Sequence, residues 1–288
     1  MSLLSPSLEA FWAVVKTGTV LEAATLVNLT QTGVTQRIRS LEKQLGVTLF
    51  TRSRKGMRLT AEGESLLRYV QAASDLESET LSLFSGKATS GAVEVCIAGH
   101  ASILRARMIE RACVAVRNFK NVRLNFDCCE EKEVIHKLKN GLAQIAILQS
   151  SDIGKELDAK PLANETFGLY VSSLWKKRKL EDILENEAAI EFSKDQTFTQ
   201  DLLRKNKISK FSKSRHYVNN FDGLAQAVQL GLGYTALPSE LALPLVKSGL
   251  VTHLNSKLVL ERKLSLVWYP RSEMAPYFKS LLNTLSKK

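Results

Sequence analysis

Apolar positions in the first part of the chain recur at helical spacing in three short blocks. Leu8, Phe11, Trp12 and Val15 give a first helix its inner face. Thr19, with Glu22 three residues on, forms a capping box that starts a second helix, on which Val20, Ala23, Ala24 and Val27 share one face. The residues "NLT" make a tight turn, and Thr30 is placed to cap a third helix over roughly Gln31 to Leu45. Val34, Ile38, Leu41 and Leu45 form its packing stripe, and Gly46 ends it. A hairpin follows, rich in cations at Arg52, Arg54, Lys55 and Arg58, with Gly56 at its turn.

From Ala61 a long helix runs to about Phe84. Leu67, Ser74 and Leu81 at one heptad position, with Val70, Glu77 and Phe84 at the other, make an imperfect dimer seam. "SGKATSG" (Ser85 to Gly91) is a hinge of small residues. Beyond it strand and helix signals alternate. "VEVCIA" (Val93 to Ala98), a helix marked by Ile109, Ala112, Cys113 and Val116, "VRLNF" (Val122 to Phe126), a helix from Glu133 to Asn140 and "QIAIL" (Gln144 to Leu148) predict a mostly parallel sheet with helices on both faces. A second set follows: "FGLYV", a helix near Phe198 to Lys205, "HYV", a helix from Phe221 to Leu230, and "GYTAL". "LSLVWY" (Leu264 to Tyr269) and a helix from Tyr277 to Leu285 close the chain.

The third helix carries the chemistry. Gln31, Thr32, Thr35, Gln36 and Arg39 gather at its N-terminal end, opposite the packing stripe. Amides, hydroxyls and guanidinium groups read base edges and hold phosphates, and a recognition helix presents its N-terminal residues to the major groove. The basic hairpin suits a wing on the minor groove or the phosphates. Thr30, Gln31, Thr32, Thr35, Gln36, Arg39, Arg52, Arg54 and Lys55 are therefore the expected DNA-binding residues.

The stretches "LEAFWAVVKTGTVLEAATLV", "TQTGVTQRIRSLEKQLGVTLFTR" and "LTAEGESLL" resemble, in order, the winged helix-turn-helix of LysR-type transcriptional regulators. Thr32 and Gly33 stand where that family most often has Pro-Ala. The resemblance implies an α/β chain in three parts. They are a winged helix-turn-helix (1–60), a linker and dimerisation helix with a hinge (61–90), and a two-lobed periplasmic-binding-protein-like effector domain (91–288). Lobe I would take about 91–162 and 266–288, and lobe II about 163–265. It also implies a homodimer or tetramer on a double-stranded promoter operator, a small-molecule effector in the inter-lobe cleft, and contact with RNA polymerase.

Ligands of α/β sheets sit beyond the carboxyl ends of strands, near helix N-termini. That points to the loops holding His100, Ser102, Glu130, Gln149 and Asn219 as effector-binding residues, with Glu131 beside them. "LTQTGVTQRIRSLE", "HYVNNFDGLAQAV" and "LPSELALPLVKSGLVTHL" are similar to the branch of the family that controls lysine and arginine export. This similarity implies lysine or arginine as effector and an exporter gene as target. That branch carries an acidic residue in its first cleft loop, whereas Gly99 to Leu104 has none. Glu130 and Glu131 remain as partners for a cation.

Bulk properties narrow the alternatives. A net charge of +11 over 288 residues favours a polyanionic partner. No apolar run approaches a bilayer span and the N-terminus lacks the pattern of a signal peptide, so a cytoplasmic protein without membrane contact is expected. Cys96, Cys113, Cys128 and Cys129 have neither zinc-site nor CxxC spacing, and buried, small apolar roles are expected for them. His100, His136, His216 and His253 are too scattered for a metal site. The chain has no GxSxG, P-loop, HExxH or strand-following GxGxxG, so neither catalysis nor a cofactor is expected. The rival to a promoter-specific regulator is an architectural DNA-binding protein that needs no effector.

Overall fold

Hydroxyl side chains start the four helices of the N-terminal module. Ser5, Thr19, Thr30 and Thr60 each accept the backbone N–H three residues on, at 3.4, 3.2, 3.0 and 3.0 Å. They cap α1 (Pro6–Thr17), α2 (Val20–Leu26), α3 (Gln31–Leu45) and, after the hairpin β1 (Phe50–Ser53) and β2 (Gly56–Leu59), α4 (Ala61–Ser85). The computed structural model describes residues 4–53, 56–85, 93–271 and 274–287.

One apolar cluster unites these elements. Phe11, Val14, Ala23, Ala24, Val34, Ile38, Leu41, Leu49 and Phe50 are buried in it, and the Phe11 and Phe50 rings lie 5.2 Å apart. The expected faces hold with three corrections. Trp12 is only partly buried, because α1 turns Ala10, Phe11, Ala13 and Val14 inward. Leu45 is 45% exposed, one turn past the point where α3 has anything to pack on. Leu67 and Val70 are buried in this same module core, so the first turns of the expected seam serve intrachain packing. The hinge segment beyond Ser85 lies outside the described residues, as do the side chains of Leu81 and Phe84.

Glycines set the close approaches. Gly56 has φ +111°, and a Cβ on it would lie 2.5 Å from the carbonyl oxygen of Gly18. The next N–H, of Met57, donates to that same oxygen at 2.9 Å, tying the wing to the end of α1. A Cβ on Gly63 would meet the Leu49 carbonyl at 2.3 Å, so α4 can pass this close to β1 only with glycine there.

The remaining chain runs β3 (Val93–Gly99), α5 (Ala101–Ile103), a π-helical turn (Leu104–Met108), α6 (Ile109–Val116), β4 (Val122–Cys128), α7 (Glu131–Lys139), β5 (Ile145–Gln149) and β6 (Asp158–Pro161). It continues with β7 (Glu165–Ser172), α8 (Leu180–Asn186), β8 (Ala189–Glu191), α9 (Phe198–Lys205), β9 (Arg215–Tyr217), α10 (Phe221–Gln229), β10 (Thr235–Pro238), α11 (Ser239–Lys247), β11 (Val251–His253) and β12 (Val259–Arg262). It ends with β13 (Leu264–Trp268) and α12 (Pro276–Leu285). Contacts divide the whole into two units. The first runs to Leu148 and adds Asp152–Lys160 and Ser265–Lys287; the second holds Gln149–Ser151 and Pro161–Leu264.

In the first unit the sheet order is β4-β3-β5-β13-β6, with β3 parallel to both β4 and β5, as the strand–helix alternation predicts. β3 is buried at every position but Glu94, as befits an interior strand covered on both faces. The second unit is built differently. β7 pairs antiparallel with β10, β11 and β12, while β8 and β9 pair parallel. Its core gathers Phe167, Phe198, Phe192 and Phe221, with the Phe167 and Phe198 rings stacked at 5.1 Å.

Replacing Gly63 by Ala is expected to force α4 off the Leu49 carbonyl and to destabilise the N-terminal module by about 1–3 kcal/mol, the usual cost of overpacking. Urea unfolding followed by Trp12 fluorescence checks this; an unchanged midpoint would contradict the close approach.

Candidate functional site

The N-terminal end of α3 is polar for a physical reason. With Val34, Ile38 and Leu41 buried beneath it, the opposite face has nowhere to go but solvent. Gln31, Thr32, Gln36 and Arg39 are exposed there and Thr35 is half-buried beside them. Thr30 is the cap, its Oγ1 accepting from Gly33 N at 3.0 Å, which leaves its O–H proton free to donate outward. No acidic residue lies in the first turn, so the positive end of the helix dipole is undiminished toward an anion. Arg37 is a positioning residue that periodicity alone does not single out. Its Nη1 donates to the Pro6 carbonyl at 3.3 Å and fastens α3 to the start of α1. Glu42 does the same at the other end, accepting from Leu49 N at 2.8 Å.

The wing is a four-residue antiparallel ladder from Phe50↔Leu59 to Ser53↔Gly56. Arg52 and Arg58 are both exposed on it. Arg54 and Lys55, the other expected wing cations, lie outside the described residues.

In the first unit the parallel register sets Gly99 beside Cys128, bringing the ends of β3 and β4 together. The turns and first helical positions that follow carry His100, Ser102, Glu130 and Glu131. His100 Nδ1 is 3.1 Å from Ser102 Oγ, and His100 Nε2 is 4.0 Å from Glu130 Oε1. Glu130 stands at the N-cap position of α7 without a side-chain cap bond. Three of the expected effector residues thus form one cluster, a base between a hydroxyl and a carboxylate. Gln149 and Asn219 belong to the second unit, Gln149 half-buried at the end of β5 and Asn219 exposed. The neighbouring Asn220 is the cap of α10, its Oδ1 accepting from Gly223 N at 2.6 Å.

The cysteines divide. Cys96 is buried, and burial first, then Asp127, pushes its thiol up to about 12. Cys129 is half-buried and pushed up to about 11 by the same first cause. Cys113 and Cys128 are exposed, contrary to the expectation of buried roles: α6 turns Ala112 and Ala115 inward, and Cys128 sits at the end of the edge strand β4. Among the described residues no cluster of His, Cys, Asp and Glu could hold a metal ion, and no helix is long and apolar enough to cross a membrane.

Glu191, in the second unit, is a residue that no sequence motif singles out. It is fully buried at the end of β8, where its Oε2 and Oε1 accept from Thr199 N and Gln200 N, both at 3.0 Å. Burial raises its carboxyl from the ordinary 4.5 to about 7. The two N–H groups, then Arg215, oppose that shift, and Asp201 adds to it.

Residues 6–64 match the family model described as "Bacterial regulatory helix-turn-helix protein, lysR family", and residues 94–288 match the "LysR substrate binding domain". The chain is similar to the HTH-type transcriptional regulator LysG of Mycobacterium bovis, 28% identical over 242 residues that cover 82% of this chain and 78% of that one. Among solved structures it is similar to ArgP from Mycobacterium tuberculosis, with a TM-score of 0.80 and 24% identity, covering 99% of this chain and 97% of that one. Full-length LysG from Corynebacterium glutamicum with bound effector Arg superposes at a TM-score of 0.74 and 18% identity, covering 98% of each chain.

Ionising Glu191 is harder in the folded chain than in the unfolded one. Its contribution to stability is therefore full below about 4.5 and is lost as pH rises through about 7. Between pH 5 and 8 the wild type should lose stability relative to Glu191→Gln, read as diverging thermal midpoints. Parallel midpoints across that range would rule out the raised carboxyl.

Proposed function

The chain belongs to the LysR family and is a DNA-binding transcriptional regulator carrying an effector-binding domain, and we propose that it is a promoter-specific switch whose effector is a cationic amino acid. One observation carries the DNA half: the exposed row of Gln31, Thr32, Gln36 and Arg39 on a helix whose other face is buried. Gln31, Thr35 and Gln36 read base edges; Arg39, Arg52 and Arg54 hold phosphates or groove walls. Lys55 is a further candidate for a phosphate contact. The regulator works as a homodimer or tetramer in the cytoplasm, on two half-sites whose spacing mirrors its symmetry, and it acts through RNA polymerase at the promoter.

The effector half is supported by the Arg bound to the C. glutamicum relative and by the carboxylates beyond the sheet ends. Glu130 and Glu131 suit an ammonium or guanidinium group, and Ser102 suits the effector's carboxylate. His100, at 4.0 Å from Glu130, stands where a cation would compete with it for that carboxylate. Gln149 and Asn219 are the neutral polar candidates for effector binding. An effector of this kind acts only if it binds two conformations with different affinity.

Binding to genomic fragments, read by sequencing, tests the promoter-specific reading. A few sites beside a divergent gene are expected; even coverage of the genome would favour an architectural protein instead. Gln36→Ala should cost about 1–3 kcal/mol of discrimination at one base position. Arg52→Ala should weaken all duplexes alike and lower the salt slope by roughly one. Equal salt slopes for Arg52→Ala and wild type would remove that contact. L-arginine or L-lysine at millimolar concentration should raise the thermal midpoint, since a ligand of the native state stabilises it. A flat response to both would reject the cationic effector.

A further inference from the structure

Helix α4 is held from two directions within six residues. Leu67 and Val70 are buried in the core of the N-terminal module. On the next stripe of the helix, Arg68, Gln71 and Ala72 face the first lobe, lining with Ala143, Gln144 and Tyr269 a cavity of about 30 Å³. The Arg68 guanidinium lies 5.5 Å from the centre of the Tyr269 ring. The Gln71 amide occupies the space where Gly141 would carry a side chain: a Cβ on Gly141 would sit 1.0 Å from Gln71 Nε2. Gly141 has φ +64°, just past the end of α7, so glycine is doubly suited there.

The place where α4 lands matters. Ala143 and Gln144 lead directly into β5, and Tyr269 directly follows β13. These two strands are neighbours in the sheet. β5 runs up to the boundary of the first unit at Leu148, where the chain makes a three-residue excursion into the second unit before returning at Asp152. It crosses again after Lys160, and β13 brings it back at Ser265. Gln144 is wired further in, its Nε2 donating to the Gly141 carbonyl at 3.1 Å and its Oε1 accepting from Cys96 N at 2.8 Å. A strain along either strand therefore reaches the surface that α4 touches.

We propose that this contact is a latch: α4 docks on the first lobe at the base of β5 and β13, two neighbouring strands that each reach that lobe's boundary at their other end, and its release passes a change in the lobe to the DNA-reading module. The contact is made to open. Gln71 Nε2 is buried without a hydrogen-bond partner among the described residues. The cavity beside it has room for about one water, a partner for that amide, so the contact is polar and loosely filled rather than closely packed like the module core. Contacts of this kind open at the low end of the stability range. A modest difference in effector affinity then suffices to shift the docked population. The docking stands on the geometry alone; only its link to DNA rests on the proposed function.

Hydrogen exchange on the full-length protein tests the docking, comparing wild type with Gln71→Ala and Gly141→Asn. Asparagine tolerates positive φ, so its side chain should displace Gln71 without unravelling α7. Amides of α4 beyond Val70 and of the loop 140–144 are expected to exchange at least tenfold faster in both variants, with β3 unchanged. Wild-type exchange rates in both would overturn the docking. The same variants should alter affinity for the wild type's operator at least threefold, although neither residue faces DNA. A variant with α4 released but operator affinity unchanged would overturn the coupling. If the wild type selects no operator, the regulator reading fails and the coupling with it, while the exchange result still decides the docking.

Discussion

Burial of Val34, Ile38 and Leu41 under α3 is the constraint from which the DNA-facing surface follows. The helix is otherwise polar, and a segment of fifteen residues with that composition is marginal alone in water. It is helical because the core formed by Phe11, Val14, Ala23, Ala24 and Phe50 accepts its one apolar stripe. Once that stripe is down, the roll of the helix is fixed, and Gln31, Thr32, Gln36 and Arg39 must face out. Arg37 and Glu42 then remove the remaining freedom at its two ends. The wing is set by a separate contact, Met57 N on the Gly18 carbonyl. The reading helix and the wing are thus held to one small core by different interactions, with the Glu42 bond to Leu49 N, just before β1, tying the two together.

Much of this was legible in the sequence because the N-terminal module is local. Caps, turns and stripes lie within four residues of what they act on, so Thr19, Thr30 and the Val34–Ile38–Leu41 row reveal themselves by spacing. The misreadings come where a partner is distant. Leu67 and Val70 have heptad spacing, and spacing alone does not distinguish a partner helix from the module's own core. Leu45 fits the stripe but outruns the surface beneath it. In the second unit the strand signals are real, yet their pairing around β7 is antiparallel, because β10, β11 and β12 all return to one strand from far along the chain. The helix α11 contains Pro244, and α8 follows the charged run Lys176–Lys179 and is itself largely acidic, which obscures the helical signal.

The candidate effector residues show the same division. His100, Ser102 and Glu130 come together because β3 and β4 are parallel and in register, a consequence of topology that a strand–helix alternation already contains. Glu191 has no such signal. A single glutamate after two alanines and an isoleucine gives no hint that its carboxylate will be closed off from water and capped by the first amides of α9. Its burial depends on β8 and α9 meeting, and hence on the phenylalanine cluster of the second unit.

A switch of this family needs more than two sites; it needs an element whose equilibrium both sites bias. α4 meets that requirement on geometric grounds. Its Leu67–Val70 stripe cannot move without opening the core on which α3 rests, and its Gln71 stripe cannot move without exposing the loop that opens β5. The first of these attachments is apolar and closely packed, the second polar and imperfectly filled. When two attachments of unequal strength share one helix, strain is relieved at the weaker. The helix therefore stays with the DNA-reading module and parts from the lobe, which keeps the base-reading face intact in both states and lets regulation change where that face is carried rather than what it can read.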